Sequence, residues 1–258
     1  MSFLFFVKIK ILGSGPSVGV PMMLNYWKNR NIDKSEPKNH RMRSSFYMQE
    51  GNKKLLVECG PDFRQQTIKF NITDFNDIFL SHCHQDHIGG IWELENAFKH
   101  LEKKINVWCN KETFEGLKQR FSWMFNGDES QYAFFNIIEP FKTYNDLFIL
   151  EAEHGTLQSI GFKYKNFVFT PDLNVLPDES KKYIKNADLW ILQCNNLNVT
   201  DYVKSWHTDL KMAIGLIEEL QPKRAVLTHL MDEIDYNEVG KILPNNVELA
   251  YDGMEIEN

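Results

Sequence analysis

Four separate strand-like runs of this 258-residue chain end by delivering a histidine or an aspartate, and this recurrence constrains the fold more than any other feature. Ile78–Ser81 leads into His82, Phe148–Ala152 to His154, Phe167–Thr170 to Asp172, and Ala225–Thr228 to His229. Loops at strand ends are where a rigid scaffold presents reactive groups. Further short runs rich in β-branched and aromatic residues are expected as strands at Val7–Leu12, Lys54–Glu58, Ser159–Tyr164 and Leu189–Leu192. Helical spacing appears at Ile91–Leu101 and Phe114–Phe125. It is clearest after Thr208, where Met212, Ala213, Leu216, Ile217 and Leu220 share a face and Pro222 ends the run. Either Thr208 or Asp209 is placed to cap that helix. Strands, helices, more strands and a late helix predict an α/β architecture of sheets covered by helices on their outer faces.

The segment Ser81-His82-Cys83-His84-Gln85-Asp86-His87 carries the chemistry. Residues two apart in an extended chain point the same way, so His82 and His84 can bind one ion from one face of a strand end. Cys83 points the other way and is not counted as a ligand. The chain then turns towards Gly89 and Gly90, with Asp86 and His87 on the turn into a helix, where they can reach a second ion. Three imidazoles and a carboxylate packed this closely are costly to bury without a metal to satisfy them. The competing interpretation is a solvated histidine-rich loop.

His-x-His-x-Asp-His after an apolar strand, followed by Gly-Gly, resembles the signature of the metallo-β-lactamase superfamily. The resemblance extends to Gly13-Ser14-Gly15-Pro16-Ser17-Val18-Gly19-Val20-Pro21, to Leu56-Val57-Glu58-Cys59-Gly60-Pro61-Asp62-Phe63-Arg64-Gln65-Gln66, and to Leu227-Thr228-His229-Leu230 followed by Ala250-Tyr251-Asp252-Gly253. These segments are similar to a phosphodiesterase-like branch. That branch includes the cyclic-phosphate phosphodiesterase of phosphonate breakdown and, more distantly, the tRNA 3′-processing ribonucleases. The resemblance implies a single αββα four-layer sandwich over residues 1–258, with two facing sheets and the metals at one edge. It implies two divalent ions, the first held by His82, His84 and His154, the second by Asp86, His87 and His229, with Asp172 bridging both. Donors that are all N and O suit Zn, Mn or Fe and do not choose among them.

Outside that ligand set the resemblance offers His207, in Trp206-His207-Thr208-Asp209, as a contact for the substrate phosphate and a proton donor to the leaving oxygen. Asp86 is counted with it as catalytic as well as a ligand. His207 is alternatively a capping or packing residue beside Thr208 and Asp209. The loop Gly13–Pro21 lacks the Gly-Lys-Ser/Thr ending of nucleotide-binding loops. It is either a tight turn after the first strand or a device that brings backbone close to the metals. Three departures from the branch stand out. Glu58 occupies a position where many relatives have Asp, lengthening a side chain suited to buttress the ligand histidines. Met22–Arg30 contains no cysteine, so the structural zinc site of some relatives is absent. Position 204 is Lys where some relatives have a second histidine.

Composition narrows the function further. The formal net charge of -6 disfavours a nucleic-acid scaffold, which would show a basic face. It leaves room for a small anionic substrate, because bound metals supply positive charge. The four cysteines, Cys59, Cys83, Cys109 and Cys194, are irregularly spaced and form no Cys-x-x-Cys pair, consistent with a reducing, cytoplasmic setting. Met1–Val7 is apolar but short, and is expected as an opening strand rather than a leader. No run approaches the roughly 18 apolar residues of a membrane helix. Lys28–Arg43, the most polar stretch, is expected to be a surface loop, and no internal repeat is visible. The expected function is hydrolysis of a small or cyclic phosphodiester. An RNA-processing nuclease of the same fold and a non-catalytic metal-binding sensor stand as alternatives, and thioester hydrolysis remains open. A homodimer is compatible with all of them.

Overall fold

In the computed structural model, which describes residues 7–23, 32–198 and 206–257, the chain forms two large sheets. They fall into separate compact units. Residues 1–13, 43–138 and 253–258 make the first unit, and 14–42 and 139–252 the second.

The first unit holds a seven-stranded sheet. It comprises β1 (Lys8–Gly13), β2 (Ser45–Glu50), β3 (Lys53–Val57), β4 (Asp77–Phe79), β5 (Ile105–Cys109), β8 (Ala133–Ile137) and β16 (Glu255–Glu257), in the order β16-β1-β2-β3-β4-β5-β8. A small hairpin of β6 (Phe125–Asn126) and β7 (Glu129–Ser130) lies apart. The pairings from β16 to β3 are antiparallel and those from β3 to β8 parallel. Leu56, Ile78, Leu80, Ile105 and Val107 pack with Phe63, Ile88, Leu94, Phe114 and Leu117 of the helical segments.

The second unit holds the sheet β15-β14-β13-β12-β11-β10-β9. Its strands are β9 (Thr143–Tyr144), β10 (Leu147–His154), β11 (Leu157–Tyr164), β12 (Phe167–Thr170), β13 (Leu189–Gln193), β14 (Arg224–Thr228) and β15 (Val247–Leu249). Again the pairings up to β12 are antiparallel and those beyond it parallel. The two sheets therefore share one pairing scheme, although the sequence shows no repeat. Every residue of β12 and β13 is buried, the unbroken apolar pattern of parallel strands covered on both faces. Ile184, Ala213, Ile217, Leu220 and Val239 pack from the helices onto Trp190, Leu192 and Leu227. Burying a side chain of this size contributes roughly 1.5–3 kcal/mol.

Local chemistry sets the element ends. In the helix Leu210–Leu220, Asp209 is the cap and accepts from Met212 N at 2.8 Å, while the Thr208 hydroxyl donates to Leu173 O. The chain leaves that helix through Gln221 at φ 51° and then meets Pro222. The expected helix from Phe114 to Phe125 instead runs Lys111–Arg120, capped by Asn110. Phe125 is a strand residue whose ring meets those of Phe114 and Phe135, so its apolar spacing reflected the core and not a helix face.

The polar stretch at 28–43 departs most from expectation. Residues 28–31 lie outside the described residues, as do 1–6 and Lys204. Of the remainder, Asn39 and Arg41 are buried rather than solvated, and Arg41 exchanges both backbone hydrogen bonds with Val20. Among the described residues, no helix is long and apolar enough to cross a membrane.

Gly60 shows how tightly the first unit closes around the histidine-rich turn. A Cβ there would sit 2.0 Å from the Asp86 carbonyl oxygen. Cys59 N donates to His87 O at 2.7 Å alongside. Gly60→Ala is expected to lower stability by about 1–3 kcal/mol in denaturant unfolding, the usual cost of overpacking. An unchanged midpoint would show that the 86–90 turn yields freely.

Candidate metal centre

The histidine-rich segment leaves β4, a strand paired in parallel on both sides, at the carboxyl ends of the strands, where open α/β sheets place their ligands. His82 and His84 lie with ring centroids 4.7 Å apart, as their spacing in an extended chain requires. His84 ends the extended run with ψ 150°, and Gln85–Ile88 forms a single helical turn that carries Asp86 and His87. His87 turns back over His82, the ring centroids 4.2 Å apart. Its Nε2 lies 3.1 Å from Asp86 Oδ2 and its Nδ1 lies 3.3 Å from Glu58 Oε1. Glu58, at φ 65°, also accepts from Ser81 N at 3.3 Å. The Ser81 hydroxyl meets His82 Nδ1 at 2.8 Å.

In the second unit, Asp172 follows β12, His154 ends β10 and His229 follows β14. Their placement brings three imidazoles around one buried carboxylate. His229 Nε2 stands 3.2 Å, His207 Nδ1 3.6 Å and His154 Nε2 4.0 Å from Asp172 Oδ2. His229 is held from behind by Asn195 Oδ1, 3.1 Å from its Nδ1, and His154 by the backbone carbonyl of Trp206 at its Nδ1. Gly155, at φ 62°, lets the Trp206 indole lie against the chain, since a Cβ there would be 2.3 Å from the ring. His207 stacks on His229 with centroids 5.6 Å apart, and Gln193 Nε2 lies 3.3 Å from its Nδ1. The Gln193 Oε1 is taken by Leu173 N at 3.0 Å.

One rule unites His82, His87, His154 and His229. Each has Nδ1 beside a polar group of its own unit and Nε2 turned away from it. Metal-ligating histidines are oriented in this way by their outer partners, which fix the tautomer and raise the basicity of the ligating nitrogen. The donors are imidazole and carboxylate, which suit a divalent first-row ion. Asp172, His154 and His207 each offer an atom within 4.8 Å of the others, so this part of the cluster can hold an ion within the second unit alone.

Sequence reasoning missed the supporting residues Asn195, Gln193, Trp206 and Arg41. Gln193 ends an apolar strand and Asn195 lies just beyond it, a signal that was available. Nothing local marks Trp206 or Arg41.

The model of the beta-lactamase superfamily domain matches residues 53–230, and the chain belongs to that family. An octanoyltransferase of Porphyromonas gingivalis is 28% identical over 95% of this chain and 50% of its own length. The exodeoxyribonuclease WalJ of Streptococcus pneumoniae is 24% identical over 59% of this chain and 58% of its own. The chain thus spans about half the length of the curated relatives it matches. Among solved structures, a diphosphatase from the PhnP family superposes with a TM-score of 0.86 over 98% of both chains at 22% identity. The metallo-beta-lactamase fold protein YhfI from Bacillus subtilis superposes with 0.74 over 98% of this chain and 100% of its own at 19% identity. The fold is therefore the metallo-β-lactamase fold.

Proposed function

We propose that this chain is a metal-dependent hydrolase that cleaves a small or cyclic phosphodiester. His82, His84, Asp86 and His87 of one unit and His154, Asp172 and His229 of the other supply the ligands of two divalent ions. The observation that carries this reading is the common orientation of the four histidines, each with Nδ1 against its own polar partner. The name of the PhnP-family diphosphatase supports a phosphorylated compound as the substrate class.

When bound, the ions supply Lewis acidity and positive charge at the attacked phosphorus. Asp172, its carboxylate among three imidazoles, would hold metal and supply the negative charge that offsets the cations. Asp86 serves as ligand and catalytic carboxylate beside His87. His207, partly open to solvent, is placed to bind a phosphoryl oxygen and to give a proton to the leaving oxygen. Gln193, its Oε1 engaged by Leu173 N, directs its amide nitrogen at His207 Nδ1 and steadies that ring.

The test is reconstitution with Mn or Zn followed by a screen of bis-p-nitrophenyl phosphate, cyclic nucleotides, a thioester and a β-lactam. The expected result is two ions per chain and turnover of a phosphodiester. A fully loaded protein that cleaves none of these esters would sink the reading. We further propose that residues 1–258 act as one domain. Gly60→Ala should then shift a single unfolding transition of the whole chain.

A nuclease is the second reading, favoured by the exodeoxyribonuclease among the relatives. It requires binding to single- or double-stranded nucleic acid that weakens steeply with salt. The net charge of -6 weighs against it.

A further inference from the structure

We propose that Arg41 is a positioning residue for the ligand histidine His229, acting by clamping the loop that follows it. The consequence for metal binding rests on the function proposed above.

His229 has φ 62°, a left-handed conformation that a side chain other than glycine adopts only when its surroundings impose it. The imposition comes from the residues just beyond. Leu230 N donates to Ser14 O at 2.8 Å and Met231 N to Asn195 O at 2.9 Å. Arg41 then closes the turn. Its Nη1 donates to Met231 O at 3.0 Å, and its Nη2 to Ile234 O at 2.6 Å and to Asn39 Oδ1 at 3.1 Å.

Arg41 as a whole is only 2% exposed. Burial lowers its pKa to about 10, against the opposing pull of Asp252, Asp235 and Asp232, so it is still charged at neutral pH. Burying a charged group is expensive unless it is paired and hydrogen-bonded, and an apolar side chain would fill the volume at lower cost. What an apolar side chain cannot do is satisfy two carbonyls on a turning segment, where no neighbouring strand is available to pair with them.

The clamp is itself anchored. Arg41 pairs with Val20 through both backbone groups, and a Cβ at Gly15 would stand 2.8 Å from Arg41 Cβ. Asp252 takes Ser14 N, Ser14 Oγ and Met42 N. The Ser14 backbone therefore holds Leu230, next to His229, while Arg41 holds the far end of the same turn. This gives the glycine loop a use that its sequence left open.

The experiment compares wild type, Arg41→Lys and Arg41→Met in two measurements. The first is amide hydrogen exchange of segment 229–236 in metal-free protein. Exchange should rise at least about tenfold in Arg41→Met and by less in Arg41→Lys, which keeps the charge but not the fork. The second is titration with Mn, read by calorimetry and elemental analysis. One site should weaken by roughly 10- to 100-fold, the usual cost of losing an outer partner, while the other keeps its affinity. Partial recovery in Arg41→Lys separates positioning from loss of fold, and that variant alone suffices if Arg41→Met does not fold. Unchanged exchange in 229–236 would overturn the proposal, as would equal weakening at both sites. A wild-type protein that never binds two ions would instead sink the metal-centre reading, with the exchange result still deciding the clamp.

Discussion

Asp172→Ala is expected to remove metal and turnover together. The Asp172 carboxylate is the common neighbour of His154, His207 and His229, all with a ring nitrogen within 4.0 Å of Oδ2. Its loss takes away the carboxylate at the centre of a cluster of imidazoles, and with it much of the attraction for a divalent ion. The effect should exceed the roughly 100-fold that losing a mere outer partner costs. Asp172→Asn keeps the shape and much of the hydrogen bonding without the charge, and should also release metal. Both variants should show native circular dichroism, so that any loss belongs to the site. The measurement is metal content after gel filtration, alongside hydrolysis of a phosphodiester. If Asp172→Ala holds both ions and turns over at the wild-type rate, the bridging role is gone.

His207→Ala should behave in the opposite way with respect to metal. His207 Nδ1 lies 3.6 Å from Asp172 Oδ2, and its side chain is 23% exposed where the supposed ligands His154 and His229 are almost fully covered. Placed at the open side of the cluster, it suits a substrate better than an ion. The variant should keep two ions while turnover falls by about 10²- to 10⁴-fold, the range for losing a positioned acid or base. Ester chemistry then distinguishes the two tasks open to it. A p-nitrophenyl leaving group needs little protonation, so the defect should shrink on aryl esters and grow on alkyl esters if His207 is the acid. Equal defects on both would make it a phosphate grip. Loss of one ion on substitution would assign His207 to the metal shell, with His154 and Asp172. Wild-type turnover on every ester at full metal loading would leave it a packing residue.

The histidine-rich group of the first unit was legible because its geometry is local. Two residues apart on a strand means the same face, so His82 and His84 meet whatever surrounds them. A single helical turn then brings His87 back over His82. His154, Asp172 and His229 were legible only as a pattern of strand ends, given order by the family resemblance. Nothing in the neighbourhood of His154, Asp172 or His229 says that they should meet. They do so because β10, β12 and β14 belong to one sheet, a pairing fixed by partners far away in sequence.

The fold divides along similar lines. Long apolar runs such as Leu189–Leu192 were evident as strands. The strands β2, β5 and β8, each with a different burial pattern, were not, because their faces are set by what covers them. The stretch at 33–42 shows the limit most clearly. Its composition is that of a solvated loop, yet Arg41 is buried against carbonyls about 190 residues further along the chain.

Which atoms are available as ligands, and which strand ends present them, follows from residue chemistry and the two-residue strand period, both of which act over a few bonds. Tertiary structure alone decided which nitrogen of each histidine faces its partner, and why His229 can hold a left-handed backbone. Those outcomes depend on Asn195, Trp206, Glu58 and Arg41, whose hydrogen-bonding groups can satisfy a ring or a carbonyl only once the sheets have brought distant segments within about 3 Å.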